Sequence, residues 1–191
     1  RGTGSSNVVA LYSCTASTEN YTGIAYSVNA VGNVIHSVWA HNLFIEPGTG
    51  KCVYILNAAA SGIKGLYFEA AYLNTSDLIH ITGSNTIGFQ IDGGLIAQTH
   101  ASFAQNMITI DGGAVNTTLR NLYFQKTSSD TTPMIYVADA TGVRIEELTV
   151  YCTTAHNILT TTTNSVGVIC ENIRATAGGA PSVSLSGSGH R

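Results

Sequence analysis

The chain is poor in charged residues. Only 10% of its 191 residues are Asp, Glu, Lys or Arg, and the 8 basic residues are outnumbered by 11 acidic ones. Binding of nucleic acid needs clustered Lys and Arg, so we expect no nucleic-acid partner. No apolar run approaches the roughly 18 residues of a membrane-spanning helix, which predicts no membrane insertion.

Cysteine is equally scarce. The four cysteines, Cys14, Cys52, Cys152 and Cys170, lie far apart in the chain and form no C-x-x-C pair. This spacing argues against a zinc site, and the low number argues against a disulfide scaffold. We therefore expect free thiols, no bound metal and no cofactor.

The chain is rich in small polar residues and poor in good helix formers. The chain has 24 Thr, 17 Ser, 14 Asn and 20 Gly, all weak helix formers. Hydrophobic residues still make up 44%, enough for a folded core. The composition predicts one domain made of short strands and turns.

Short apolar strands recur at nearly constant spacing. A first track begins at positions 43, 66, 95, 122, 148 and 173, which are 23 to 29 residues apart. A second track runs in phase with it, with inward positions expected at Val53, Ile79, Ile108, Ile135, Ile158 and Val183. A third track lies just upstream of the first. Its members are Val38-Trp39-Ala40, Phe89-Gln90-Ile91, Val143-Arg144-Ile145 and Val168-Ile169-Cys170, with Ser61-Gly62-Ile63 and Thr117-Thr118-Leu119 as weaker ones.

Three short strands in each period predict an all-β parallel β-helix, a solenoid in which each strand pairs with its counterpart one coil later. An antiparallel sandwich or barrel is the alternative, but the chain lacks the Asn-Gly turns that tight hairpins favour. We expect an irregular coil or linker over residues 1–33, the β-helix over 34–185, and a polar tail over 186–191 that ends a fragment. The first track's inner ladder should be Leu43, Leu66, Leu95, Leu122, Leu148 and Ile173.

The same alternation places other side chains on the outside. The first track should expose Phe44, Tyr67, Ile96 and Tyr123, and the second should expose Tyr54, His80, Thr109 and Tyr136. Exposed aromatic rows serve either to stack on sugar rings or to join parallel rods in a trimer. We predict a subunit interface at Phe44, Ile96, Tyr123, Tyr54 and Tyr136, and a homotrimer.

Two glutamates fall on successive coils of one outward row. Strand spacing would hold the backbones of Glu46 and Glu69 about 4.8 Å apart, and paired carboxylates suit glycoside hydrolysis. Trp39, His41 and Tyr67 would form a sugar-binding wall beside them. The alternative is that both glutamates are solvated turn residues. Asp92 and Asp111 each precede Gly-Gly, which is first a turn signal, and they are the alternative catalytic residues, near a groove between subunits.

The sequence pattern of the coils resembles that of a known superfamily. It is carried by Thr141-Gly142-Val143-Arg144-Ile145-Glu146-Glu147-Leu148-Thr149-Val150 and by Ser165-Val166-Gly167-Val168-Ile169-Cys170-Glu171-Asn172-Ile173. These coils resemble the pectate-lyase-like right-handed parallel β-helices, and the low charge with abundant Thr, Ser and Asn is most similar to a bacteriophage tailspike or tail fibre. Catalytic signatures of polygalacturonases are absent from the sequence.

This resemblance implies a function. It suggests a virion tail or extracellular protein that recognises a host surface polysaccharide. The alternatives are a hydrolase or lyase of the same fold that degrades the polysaccharide, and a purely structural fibre rod. Whether the chain is an enzyme stays open at this point, because fold does not imply function.

Overall fold

The computed structural model describes residues 9–17, 24–31, 33–46, 49–71, 73–154, 156–177 and 182–191. Within these ranges every regular element is a β-strand and no helix is present. No described segment is therefore a helix able to cross a membrane.

The first sheet contains the longest strands, most of them nine residues long. Its members are β1 (Val9–Tyr12), β2 (Thr15–Ser17), β5 (Val38–Glu46), β8 (Gly62–Ala70), β10 (Gln90–Gln98), β12 (Thr118–Lys126), β14 (Arg144–Cys152) and β16 (Ile169–Ala177). They are ordered β1-β5-β8-β10-β12-β14-β16, with β2 also pairing with β5. Each long strand therefore lies beside the long strand of the next coil.

The second sheet is built from shorter strands. Its members are β3 (Tyr26–Asn29), β6 (Val53–Leu56), β9 (Ile79–Thr82), β11 (Ile108–Ile110), β13 (Ile135–Val137), β15 (Asn157–Thr161) and β17 (Ser182–Ser184). A third pair joins β4 (Ile35–His36) to β7 (Ala58–Ala59) and continues as single bridges through Ile87, Val115, Thr141, Val166 and Ser188. Three strips of pairing thus run along the molecule.

All strand pairings are parallel, and the sheets stack as a β-solenoid of about 6 turns. The predicted all-β parallel solenoid is confirmed. Strands β1, β2 and β3 pair with the following coil, so regular stacking also occurs within residues 9–31. At the other end Ser188 bridges to Val166, so the polar residues after β17 also contact the coil before them.

The first and third tracks are two halves of one long strand. A single residue with positive φ bends each strand at its centre, and these residues stack at one corner: Asn42 (φ 52°), Gly65 (75°), Gly93 (78°), Asn121 (55°), Glu147 (53°) and Asn172 (56°). Asn and Gly tolerate this left-handed conformation better than other residues. The tight corner expected from the short gap between the two tracks is one residue long.

The inner ladder of the first sheet departs from the prediction in one coil. Leu66 and Leu122 lie beside Gly94 and not beside Leu95. Gly93 and Gly94 both have positive φ, and an added Cβ on Gly94 would lie 1.9 Å from the Leu66 carbonyl oxygen. Gly94 thus takes the inner position, and Leu95 lies in the outer row, next to Tyr67 and Tyr123.

Ile96 consequently points inward. It is fully buried between Phe68 and Phe124, so its assignment to an exposed subunit interface is wrong. A similar shift occurs in the second sheet, where a bulge between Asn157 and Leu159 brings Leu159 into the ladder that Ile158 was expected to occupy. Ile158 and Leu159 are both buried.

Candidate carbohydrate-binding surface

Aromatic side chains gather on the outside of three adjacent strands of the first sheet, on both sides of the corner at Asn42. The group, here called the aromatic patch, consists of Tyr12 on β1, Trp39, His41 and Phe44 on β5, and Tyr67 on β8. Register places Tyr12 beside His41 and Phe44 beside Tyr67. The rings of Tyr12 and His41 stack with centroids 4.8 Å apart, while Phe44 and Tyr67 remain 47% and 44% exposed.

Trp39 packs against the neighbouring strand because that strand carries a glycine. A Cβ built on Gly62 would lie only 2.8 Å from Trp39 Cζ3, so the indole occupies the space of the missing side chain. The Nζ of Lys64 sits 5.2 Å from the Trp39 ring centroid, within the range of a cation–π contact. The patch therefore combines aromatic faces with a positive charge.

Glu69 lies on the same strand as Tyr67, two residues further along, and its side chain is exposed. Glu46 is the last residue of β5, and its side chain lies outside the described residues. The register pairs Ile45 with Phe68, one residue before each glutamate. The catalytic role expected for this pair stays a prediction.

Asp92, the first alternative catalytic residue, belongs to a row of charges beside the corner. Its carboxylate accepts hydrogen bonds from Arg120 Nη2 at 2.7 Å and from Asn121 Nδ2 at 2.8 Å. The hydrogen bond from Arg120 is the main cause that holds the pKa of Asp92 below its usual value. A general acid needs a raised pKa, so this environment does not suit Asp92 to protonate a leaving group.

Asp111, the second alternative, lies directly after β11 of the second sheet and contacts His80. The His80 Nε2 lies 3.0 and 2.9 Å from the two carboxylate oxygens. Partial burial alone would raise the pKa of Asp111, but hydrogen bonds from His80 and Thr82 outweigh it and lower the pKa. Asp92 and Asp111 belong to different sheets, so the fold does not bring them together as neighbours on one strand face.

The remaining predicted interface residues lie on two different sheets. Phe44 and Tyr123 share the exposed outer row of the first sheet, in register with Tyr67 and Leu95. Tyr54 and Tyr136 lie on the outer face of the second sheet and are half-buried. Their role in a trimer stays a prediction.

Sequence reasoning missed two members of this surface. Tyr12 was missed because the strands of residues 1–33 could not be placed in register, and Lys64 because the track was aligned on apolar positions alone. Lys64 follows Gly62 by two residues, and this spacing on a strand predicts the same face as the outward Trp39 of the coil below. Among the described residues, no group of three or more His, Cys, Asp or Glu is arranged to hold a metal ion.

Comparisons with protein-family models, with curated proteins and with solved structures give no match to this chain. The likeness to pectate-lyase-like proteins is therefore supported at the level of the parallel β-solenoid only. Any functional assignment depends on the chemistry of the surface itself.

Proposed function

We propose that this solenoid binds a cell-surface polysaccharide through the aromatic patch. The observation that carries the proposal is the concentration of four exposed or half-buried rings, Tyr12, Trp39, Phe44 and Tyr67, on three adjacent strands. Single exposed aromatics are normal on soluble proteins, whereas a contiguous cluster marks a binding surface. Flat sugar faces stack on such rings, and flanking polar groups bond the hydroxyls.

The positive charge of Lys64 beside the patch favours one class of polysaccharide. Lys64 lies on the Trp39 ring and is not part of an ion pair among the described residues. An acidic polysaccharide would bring a carboxylate to this ammonium group, and hydrogen bonds between charged partners are the stronger ones. We therefore favour an anionic glycan over a neutral one.

The proposal extends to the setting of the protein. A charge-poor, Thr-rich and Asn-rich β-solenoid of this kind is similar to a segment of a bacteriophage tailspike or tail fibre, and such a segment would face a host surface polysaccharide from the virion. A homotrimer joined through the rest of the first sheet's outer row, Leu95 and Tyr123, belongs to the same proposal, because it leaves Phe44 and Tyr67 open to the glycan. Light scattering on the purified chain would give three times its 20.0 kDa mass for the trimer.

A second proposal, glycan cleavage, is favoured by the position of Glu69 beside Tyr67. In this reading Glu69 and Glu46 act as the acid and the nucleophile or base of a glycoside hydrolase. Release of reducing ends from a bound polysaccharide, abolished by Glu69→Gln and by Glu46→Gln, would support it. Glu147→Gln, an exposed change at the corner, is the matched control.

Binding is tested with an array of bacterial surface polysaccharides, followed by titration of the best acidic polymer. We expect Tyr67→Ala to weaken binding about tenfold, the loss of one stacked ring. Tyr151→Ala is the control, because Tyr151 is 40% exposed on β14 of the same sheet but lies three strands away. Equal losses in both variants, or no binding to any polysaccharide, would reject the aromatic patch and leave the structural rod.

A further inference from the structure

The outer face of the second sheet carries a row of side chains that the proposed function does not use. It is formed by Tyr54 on β6, His80 on β9, Thr109 on β11 and Tyr136 on β13, one residue from each of four successive coils. We call these four residues, with Asp77 beside them, the tyrosine notch. The two tyrosines are three strand spacings apart, roughly 14 Å between their backbones.

The smaller residues form the floor of the notch, between the two tyrosines. Thr109 is 5% exposed, whereas both tyrosines and His80 are half-buried, so their outer parts stay accessible. The Tyr54 ring meets the His80 ring edge-on with centroids 5.6 Å apart. Neither tyrosine hydroxyl makes a hydrogen bond to the part of the chain that the structure describes.

Hydrogen bonds hold the floor in place from both ends of the strands. Asp111, after β11, binds His80 Nε2, and Asp77, before β9, accepts a hydrogen bond of 2.7 Å from Thr109 Oγ1. Asn106 donates to the same threonine hydroxyl at 3.1 Å. The floor is therefore rigid before any ligand arrives, which lowers the entropic cost of binding.

The notch has an excess of negative charge. Asp111 is compensated by its contact with His80 and by the field of Lys51. Asp77 differs, because the hydroxyl of Thr109 is its partner and no ion pair involves Asp77 among the described residues. One carboxylate thus remains without a counter-charge beside Thr109, whose neighbours in register are His80 and Tyr136.

We propose that the tyrosine notch binds the protonated amine of an amino sugar. An ammonium group placed there would form a charge-assisted hydrogen bond to Asp77 and cation–π contacts with Tyr54 or Tyr136. The sugar ring would lie across His80. An acetylated amine would lose the charge, and an acidic sugar would be repelled by Asp77.

This site is independent of the aromatic patch. The two surfaces lie on different sheets, one beside Lys64 and the other beside Asp77. Failure of one proposal therefore does not imply failure of the other. Variants in each surface distinguish them, because Tyr67→Ala should leave binding at the notch unchanged.

The test uses glucosamine tetramer and its fully N-acetylated counterpart as probes, titrated into the purified chain by calorimetry. Wild-type protein should bind the glucosamine tetramer at least tenfold more tightly than the acetylated one. Asp77→Asn and Tyr136→Ala should each remove about tenfold in affinity for the amine form. Glu147→Gln, which removes one negative charge from the other sheet, should change nothing.

Three results would overturn the proposal. They are equal affinity for the two tetramers, unchanged affinity in Asp77→Asn, and an equal loss in Glu147→Gln, which would indicate attraction to overall charge. Tyr136→Phe addresses folding, because it keeps the ring and the cation–π contact while removing only the hydroxyl. It should retain most of the binding that Tyr136→Ala loses.

Discussion

The first and second sheets share one core but differ in what they present to solvent. Both contribute to a continuous hydrophobic cluster that includes Leu122 of the first sheet and Ile135 of the second. On the outside, the first sheet exposes rings such as Phe44 and Tyr67, whereas the second binds His80 and Thr109 to carboxylates. The inner faces of the two sheets are thus alike in being apolar, whereas their outer faces carry different kinds of side chain.

The difference comes from strand length and from the turns. Long strands of the first sheet continue past a corner without a loop, so no loop side chains border the outer row at that corner. Strands of the second sheet are three to five residues long, and turn residues at both ends reach their outer side chains. Asp77 and Asp111 are such residues. In the first sheet the outer polar pairs, Arg120–Asp92 and Arg144–Glu146, join residues of the strands themselves.

The junction between the two sheets is where we expect the largest effect of a single substitution. Lys126, at the end of β12, has no exposed side-chain surface and contacts Asp130 Oδ1 at 3.0 Å and Thr132 Oγ1 at 2.8 Å. Lys126→Met would leave the Asp130 carboxylate without its counter-charge. We expect a loss of about 3–5 kcal/mol in the free energy of unfolding, measured by urea denaturation.

Lys64→Met is the matched control for that loss, because Lys64 is an exposed lysine on the same sheet. It should change the free energy of unfolding by about 0.5 kcal/mol or less. The double variant Lys126→Met with Asp130→Asn should recover part of the loss, since no uncompensated carboxylate remains. Similar costs for the two lysine variants would contradict a special role for the junction.

A smaller effect, confined to the first sheet, is expected at Gly94, the glycine of the inner ladder. Gly94 has φ 143°, and an added Cβ would clash with the Leu66 carbonyl, so Gly94→Ala should cost at least 1–3 kcal/mol. Gly88→Ala is the control, because Gly88 also has positive φ (69°) but has nothing within 4 Å of an added Cβ. In thermal unfolding, Gly94→Ala should have a clearly lower melting temperature than Gly88→Ala. Equal melting temperatures would mean that backbone conformation alone matters.

The smallest expected effect is the dependence of folding stability on pH, which should arise at the junction and not in the two sheets. Burial alone would raise the pKa of Asp130, but hydrogen bonds from Ser128, Thr132 and Lys126 lower it from 3.8 to about 2. The folded protein therefore binds this proton less readily than the unfolded chain does. The stabilisation is complete above the unfolded pKa of 3.8 and is lost as the pH falls toward 2.

The buried His156 adds an earlier step of the same sign. Burial lowers its pKa below the usual 6.5, so the unfolded chain takes up this proton first and stability declines as the pH falls below 6.5. Asp130→Asn should flatten the stability curve below pH 4, and His156→Gln should flatten it just below 6.5. A curve that is unchanged in both variants would place the acid sensitivity in the sheets instead.

Prediction from the sequence succeeded where apolar residues alternate regularly along a strand. The ladder Val53, Ile79, Ile108 and Ile135 was predicted correctly, because apolar alternation with a period of two fixes which side chains face inward. It failed at Leu95 and Ile96, where the alignment followed apolar residues across Asp92-Gly93-Gly94. Gly94 takes the inner position that Leu66 and Leu122 occupy in the neighbouring coils, and a hydrophobicity pattern cannot assign a glycine to that position.

The sequence by itself determined the coil period, the all-β class and most of the core, since these depend on local alternation repeated many times. Only the tertiary structure decided which outer side chains meet. Tyr12 joins His41 across 29 positions, and His80 joins Asp111 across 31. The physical reason is that stacking brings together residues one coil apart, and coil length varies from 23 to 29 residues. An error of one residue in the assumed register therefore exchanges an exposed side chain for a buried one, as at Leu95 and Ile96.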